Sequence, residues 1–368
     1  MPLGHPDEIA GTAAGSLREL QTLLLVSRSV SMAVMELLRT PSGLAGAYVP
    51  IELRQTHDTQ TGIAFSLMAP LTRTIAHWKL RTRTLELGRR TLVMGIVNIT
   101  PDSFSDGGQF FETKDAVKHA LKLLEEGADI LDLGAESTRP GSLAGTSSAL
   151  STGTEQARLL PVIEGILAVR PGTLISVDTY KSETARAALS AGAEIINDVS
   201  GALWDKDMLA VCSASACGVV LMHTRGRPED WREQSKLPAD ELIELVRSGL
   251  AKSIQSAVNS GIAIESIVLD PGYGFGKKFD ENYTMLARQS ELLALGRPLL
   301  AGVSRKSFLG HTLAELHDGK LAPVEARETA SVAAMVTAII QGASIVRVHN
   351  VRSAVEAARI VDAVLDAG

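Results

Sequence analysis

Three acceptor-bearing side chains stand at the ends of separate apolar runs in this 368-residue chain: Asp178 in Ser-Val-Asp-Thr, Asn197 in Ile-Asn-Asp and Asp270 in Leu-Asp-Pro-Gly. Two carboxylates, and an amide that donates as well as accepts, suit a flat guanidine-like edge, such as the 2-amino and N3–H side of a pterin or guanine. Each charge-assisted bond to such an edge is worth about 1.5–3 kcal/mol when buried. A second group, Lys306, Arg347 and His349, brings positive charge, and Asn98 adds a neutral oxygen. That set fits a phosphate or pyrophosphate, held directly or through Mg2+. Together the two groups describe a flat heterocycle carrying an anionic leaving group.

Side chains so far apart in sequence need a scaffold that returns each one to a common rim. Eight short runs rich in Val, Ile and Leu provide it: Leu92–Val97, Ile130–Leu133, Leu174–Val177, Glu194–Ile196, Gly218–Met222, Ile267–Leu269, Leu299–Gly302 and Ile345–Val348. Helical patterns lie between them, among them Lys114–Glu126, Glu155–Val169, Ser182–Ala191, Ala239–Asn259 and Glu325–Gln341. Gly127, Gly192, Gly261 and Gly342 follow such patterns, where a glycine can cap a helix. Eight buried-type strands alternating with helices predict a (β/α)8 TIM barrel over residues 78–368, with a doubly wound open sheet as runner-up. The segment Lys79–Arg90 reads as a hairpin closing the barrel floor. In a barrel the chemistry gathers where strands end, because the following loops surround one mouth. Asp198, Ser200 and Thr179 also stand there, but a lone Asp, Ser or Thr after a strand is ordinarily a turn or helix cap.

Other features exclude other chemistry. A net charge of −6 argues against a surface that tracks nucleic-acid phosphates. Cys212 and Cys217 are too few and too close for a disulfide framework and form no zinc pattern, so they read as reduced thiols. Gly272-Tyr-Gly-Phe-Gly-Lys277 lacks the spacing and the Ser/Thr of a phosphate-binding loop, and its glycines are expected to permit a tight, mobile loop. His119 and His311 read as plain surface residues. No run is long and apolar enough for a membrane span and no secretory signal is evident, so the expected location is the cytoplasm. Residues 1–77 form an N-terminal extension without strand–helix alternation, in which 17–38 has the spacing of an amphipathic helix. A misassigned start, with Met68 as the true one, is the other reading of that extension.

The ordered set of motifs resembles the dihydropteroate synthase family over about residues 78–365. Met94-Gly-Ile-Val-Asn98-Ile-Thr-Pro-Asp-Ser-Phe-Ser-Asp-Gly-Gly108 is similar to the family's first signature and Glu136-Ser-Thr-Arg-Pro-Gly141 to its second. Ser176-Val-Asp-Thr179, Ile196-Asn-Asp198, Leu269-Asp-Pro-Gly272, Ser304-Arg-Lys-Ser307 and Arg347-Val-His349 follow in the family's order. The resemblance implies a transferase of folate biosynthesis. It would join 6-hydroxymethyl-7,8-dihydropterin pyrophosphate to para-aminobenzoate, giving 7,8-dihydropteroate and pyrophosphate.

It implies residue roles as well. Asp178, Asn197, Asp270, Lys306 and Arg347 would hold the pterin, lined by Met222 and Gly302. Asn98, Arg347 and His349 would hold pyrophosphate, with Asn98 reaching Mg2+. Phe104, Thr138, Arg139, Pro140, Phe275, Lys306 and Ser307 would form the para-aminobenzoate pocket, under loops that carry Asp102 and Arg139 and close over the site. Catalysis would fall to Asn98, Asp102, Arg139, Lys306, Arg347 and His349. The implied mechanism is dissociative: pyrophosphate leaves before the aniline nitrogen attacks. A homodimer through the last helices, with close packing at Ala330, Ala333 and Ala334, is also implied.

Two departures stand out. Asn350 replaces the family's Asp after Arg-Val-His, and Leu143–Thr154 is long and rich in Ser, Thr and Gly. Ser307-Phe-Leu-Gly310 carries no insertion of the kind associated with sulfonamide resistance, so sensitivity to sulfonamides is expected. The competing readings are a methyltetrahydrofolate-dependent methyltransferase domain and a catalytically silent pterin-binding paralogue. The first would not need the Ser-Thr-Arg-Pro-Gly and Ser-Arg-Lys-Ser segments, and the second should have lost one of Asn98, Arg139, Lys306 or His349.

Overall fold

A computed structural model describes residues 73–99, 108–137 and 142–367. The helix expected over 17–38 lies outside the described residues, as do Asp102, Phe104, Thr138, Arg139 and Pro140. The chain divides into units Met1–Ser66 and Leu67–Gly368, and the described residues all belong to the second.

An antiparallel hairpin, β1 (Ala76–Lys79) and β2 (Thr84–Leu87), precedes eight parallel strands. These are β3 (Leu92–Asn98), β4 (Ile130–Gly134), β5 (Ile175–Asp178), β6 (Ile195–Asp198), β7 (Gly218–Met222), β8 (Ile267–Asp270), β9 (Leu299–Ala301) and β10 (Ala343–Val348). Each pairs with its sequence neighbour, and β10 returns to β3 to close the barrel. Among the described residues the connecting helices are α1 (Gly108–Glu125), α2 (Thr152–Val169), α3 (Ser182–Ser190), α4 (Met208–Ser215), α5 (Ala239–Asn259), α6 (Phe279–Ala287), α7 (Ser307–Thr312), α8 (Glu328–Ile340) and α9 (Val351–Ala367). The expected (β/α)8 barrel is therefore the observed fold, and the open sheet is not. The helix expected over 325–341 begins instead as a 3-10 turn, Val324–Arg327. There the buried Arg327 turns its guanidinium back onto the carbonyls of Ala322 and Arg305.

The strands read as near-continuous apolar runs because both faces are covered. Successive side chains alternate between faces, so one parity settles the whole arrangement. Val93, Leu131, Val177, Ile196, Val219, Leu269, Ala301 and Val346 pack outward in one cluster with the helices. Met94, Ile130, Leu174, Ile195, Val220, Val268, Leu300 and Ile345 point inward and pack on Trp78, Leu80 and Leu87 of the hairpin. Trp78 is fully buried and donates its indole N–H to Ser266 O at 2.9 Å. The hairpin thus plugs the floor, as expected from its sequence. Two residues further along each strand, the same inward parity brings up Asp132, Ser176, Asn197, Met222, Asp270, Gly302 and Arg347. One step higher again stand Asn98, Asp178 and His349. Filled below by apolar side chains, the barrel changes chemistry at this level.

Candidate active site

At the centre of the polar layer is Asp132, a residue with no exposed surface. Its Oδ1 accepts from Ser176 Oγ at 2.6 Å; its Oδ2 accepts from Asn197 Nδ2 at 3.1 Å and from Arg347 Nε at 2.6 Å. Arg347 then reaches Asp178 Oδ2 through Nη2 at 2.7 Å. Burial works against the Arg347 charge, but Asp132 and Asp178 hold its guanidinium above the usual arginine range. Burial raises the Asp178 carboxyl to about 7 against the pull of Arg347, and Asp132, Asp198 and Glu155 push it the same way. Three of the side chains predicted from sequence, Asp178, Asn197 and Arg347, are therefore one connected unit. The residue that connects them, Asp132, is not among the predicted site residues. Its inward parity one step above Ile130 is the signal that could have found it.

Across the mouth, burial also raises the Asp270 carboxyl, opposed by the Gly272 N–H, Lys306 and Lys277. The Lys306 ammonium lies 4.1 Å from the centroid of the Phe275 ring, a cation–π distance. A Cβ added at Gly302 would sit 3.7 Å from Asp270 Oδ2, ordinary van der Waals contact, so the protein does not fill the space the glycine leaves there. Met222 and Phe275 join Ala144, Tyr180, Val199 and Trp231 in a small apolar cluster on this side, with Trp231 edge-on to Phe275. Ser307 opens α7 directly after Lys306, and α7 runs on through Gly310 without interruption.

The loop after β8 is tight, as its glycines predict, and a buried lysine ties it down. The Lys277 side chain is buried and donates to His223 O, Pro271 O and Gly272 O at 2.8–2.9 Å. Burial pulls its pKa well below the usual lysine range. Three carbonyl acceptors nevertheless require three donors, which only the protonated –NH3+ possesses. Gly272 has φ +71°, and a Cβ there would meet His223 O at 2.0 Å, so that glycine serves a close approach of two strand ends. Lys277 is a second residue that the sequence pattern does not single out.

The long segment after β4 is likewise held. Gly145 N donates to Tyr180 Oη at 2.8 Å, Leu150 N donates to Glu136 Oε1 at 2.8 Å, and Arg227 donates to Gly145 O. Tyr180 Oη and Lys181 Nζ both donate to Glu136 Oε2, at 2.9 and 2.7 Å, and Lys181 also pairs with the buried Glu155. Asp198, Ser200 and Thr179 hold their own turns, as expected of lone polar residues after a strand: Asp198 accepts from Ser200 N and Ala202 N, Ser200 from Leu203 N, and Thr179 from Lys181 N. Asp198 has outward parity, which explains why it faces its own loop and not the mouth. One of the two predictions of plain surface residues needs correction. His119 is half-buried, which lowers its pKa, and the exposed His311 stacks on Phe279 at 3.5 Å between centroids.

Among the described residues no cluster of three His, Cys, Asp or Glu side chains could hold a metal ion. Asn98 offers one oxygen at the tip of β3. A Mg2+ that keeps several waters and takes its other oxygens from substrate phosphates fits such a sparse site.

The family model described as pterin binding enzyme matches residues 94–349. The dihydropteroate synthase of Escherichia coli strain K12 is 43% identical over 275 residues, covering 75% of this chain and 92% of its own. This chain belongs to the dihydropteroate synthase family. The folate synthesis bifunctional protein of Pisum sativum is 40% identical over 292 residues, 76% of this chain, and there the chain spans only 55% of the relative's length. A crystal structure of the Yersinia pestis dihydropteroate synthase in a sulfonamide drug complex has 40% sequence identity and a TM-score of 0.70, over 79% of this chain and all of that one. The matched segment begins inside β3 and ends at His349, so it takes in every strand of the barrel.

The raised Asp178 carboxyl gives the site a testable pH dependence. Below about pH 7 Asp178 takes up a proton and loses acceptor capacity toward a guanidine-like edge. A ring that needs the ionised carboxylate should therefore bind more weakly as pH falls from about 8 to 6, approaching tenfold per unit below the folded pKa. Calorimetric titration of a pterin across that range checks this. Asp178→Asn should bind weakly throughout and lose the step near 7. A wild-type profile flat over the range would contradict the role of Asp178.

Proposed function

We infer that the barrel mouth carries out the reaction for which its family is named: 6-hydroxymethyl-7,8-dihydropterin pyrophosphate and para-aminobenzoate give 7,8-dihydropteroate and pyrophosphate. The observation that supports this reading best is the linked set of Asp178, Asn197, Asp132 and Arg347, in which carboxylates that suit the ring edge pair with a cation that suits the leaving group.

Asp178, Asn197 and Asp270 accept from and donate to the pterin edge, with Met222 and Gly302 beside it. As the ring takes the Asp178 carboxylate, Arg347 gives up its Nη2 contact there but keeps its Nε bond to Asp132. The guanidinium thus turns on a fixed pivot toward the pyrophosphate, joined by His349 and Asn98. The C–O bond between methylene and pyrophosphate breaks with its electron pair on the leaving oxygen. Asp178 and Asp270, held near the ring, balance the developing methylene cation. The neutral aniline nitrogen then forms the C–N bond and loses a proton to solvent or product phosphate; no strong base is required. Lys306 stacked on Phe275, with Ser307, supplies the described part of the para-aminobenzoate pocket. Thr138, Arg139, Pro140, Phe104 and Asp102 are proposed to complete and cover it, excluding water that would otherwise capture the cation. Bound Mg2+, with Asn98 as its protein ligand, would neutralise pyrophosphate charge.

Sulfonamides should compete with para-aminobenzoate at the Lys306–Ser307 pocket, because α7 runs on from it without interruption. An inhibition titration at two para-aminobenzoate concentrations checks this: the apparent inhibition constant should rise with substrate, and full activity at high drug would oppose the pocket assignment. No helix among the described residues is long and apolar enough to cross a membrane. The cytoplasm remains the proposed location. A homodimer is proposed through α8 and α9, where Ala333, Ile360 and Val364 are exposed. Ala334, expected in that contact, is instead buried against the barrel's own core.

A further inference from the structure

β9 and β10 run side by side with Leu300 opposite Ile345 and Ala301 opposite Val346. Continuing that register two residues at a time brings Gly302 beside Arg347 and Ser304 beside His349. The chain is then diverted sharply. Arg305 has φ +58°, a left-handed conformation that a non-glycine residue holds only when its surroundings fix it. They do: Arg305 N donates to Ser331 Oγ at 2.9 Å, and Arg305 O accepts from the buried Arg327 at 3.0 Å. Ser304 is the last residue before this clamp, and its side chain is set against the His349 ring.

Two contacts join them. The His349 backbone N–H donates to Ser304 Oγ at 3.3 Å, and Ser304 Oγ lies 3.0 Å from His349 Nδ1. Only one assignment uses every group. A serine hydroxyl has one proton and two acceptor lone pairs. If Nδ1 carried a proton it would also donate to Oγ. The hydroxyl proton of Ser304, which is 8% exposed, would then have no acceptor among the described residues. If the hydroxyl donates to Nδ1 while accepting from the backbone, every group in the contact is satisfied. Leaving a buried donor unused costs enough to bias the two tautomers by roughly tenfold or more.

We propose that Ser304 is a positioning residue that fixes neutral His349 as the Nε2–H tautomer, so that the ring offers a donor to an oxygen of the leaving pyrophosphate. In the opposite tautomer Nε2 would present a lone pair, which repels an anionic oxygen. Ser304 removes that form and at the same time sets the plane of the ring. This rests on the reading of Arg347 and His349 as the leaving-group site. It adds the protonation state in which His349 acts and the residue that selects it.

The test separates the two claims. Histidine labelled with 15N in both ring positions, in the full-length ligand-free protein at neutral pH, reports the tautomer directly. The His349 signal among the eight histidines is identified by its loss in His349→Gln. The wild type should show a pyridine-type Nδ1 and a pyrrole-type Nε2. Ser304→Ala should give a mixture, and Ser304→Thr, which keeps the hydroxyl, should restore the single form. A protonated Nδ1 in the wild type, or an unchanged tautomer in Ser304→Ala, overturns the assignment of Ser304. Titration with pyrophosphate and Mg2+ then reads the second claim: Ser304→Ala should bind about fivefold more weakly and Ser304→Thr as wild type. The expected tautomers with unchanged pyrophosphate affinity in Ser304→Ala would overturn the leaving-group role of His349 and leave the tautomer result standing.

Discussion

Asp132→Ala should lower kcat/KM for the pterin pyrophosphate by roughly two to three orders of magnitude, although nothing in the proposed mechanism brings Asp132 into contact with substrate. The carboxylate accepts from Ser176, Asn197 and Arg347 together, and it has no exposed surface. Its removal leaves Arg347 paired with Asp178 alone and the Asn197 amide without its acceptor. Breaking a buried charge pair from one side costs about 3–5 kcal/mol, part of it as stability and part as lost transition-state binding. About 3–4 kcal/mol of lost transition-state binding corresponds to that fall in rate. The damage should be confined to the pterin half of the site: the KM for para-aminobenzoate should stay within about threefold, because the side chains Asp132 holds are Ser176, Asn197 and Arg347. Steady-state kinetics with each substrate varied in turn, beside a thermal melt, checks both parts. Asp132→Asn, which keeps one acceptor oxygen and the shape, should be milder. Activity of Asp132→Ala within a few-fold of wild type would show that Arg347 and Asn197 need no such support.

Lys277→Met should destabilise the barrel by about 3 kcal/mol, lowering Tm by roughly 5–10 °C. Methionine matches the length of the lysine stem but donates nothing, so the carbonyls of His223, Pro271 and Gly272 all lose their partner. Relief of the buried charge offsets part of that loss, which is why the expected total is below the sum of three charge-assisted bonds. The mutation should reach the site as well. Lys277 ties the end of β7 to the loop that carries Asp270 and Phe275, and it is one of the charges that hold the Asp270 carboxyl down. A several-fold rise in pterin KM should accompany the lower Tm. An unchanged Tm would mean that Lys277 is neutral and loosely held, contrary to its three contacts.

Much of this arrangement is legible in the amino-acid order alone. The inward parity that delivers Asn197, Asp270 and Arg347 to one level, with Asp178 one step above, follows from short Val- and Ile-rich runs, which are plain to read. Periodicity is a local property, and it serves well wherever the question is local. Asp132 escapes because its importance lies in partners 65 and 215 residues away, and a single Asp inside an apolar run carries no local sign of them. Lys277 escapes for a related reason: its acceptors are backbone carbonyls, which no pattern of side chains reveals. The glycines before it predict a tight loop, and Gly272 admits the close approach of His223 O. Leu143–Thr154 has the composition of an irregular insertion. Its anchorage comes from Tyr180, Glu136 and Arg227, each supplied by a different part of the chain.

The central claim is that one mouth both releases pyrophosphate and joins the pterin to para-aminobenzoate. The most direct measurement incubates the purified chain with 6-hydroxymethyl-7,8-dihydropterin pyrophosphate, para-aminobenzoate and Mg2+, and follows pyrophosphate and 7,8-dihydropteroate together. Equal amounts of both products, appearing at the same rate, are predicted. Neither product from a folded protein that still binds the pterin would contradict the account, because the linked Asp132, Arg347, Asp178 and Asn197 would then form a pterin-binding site without catalysis.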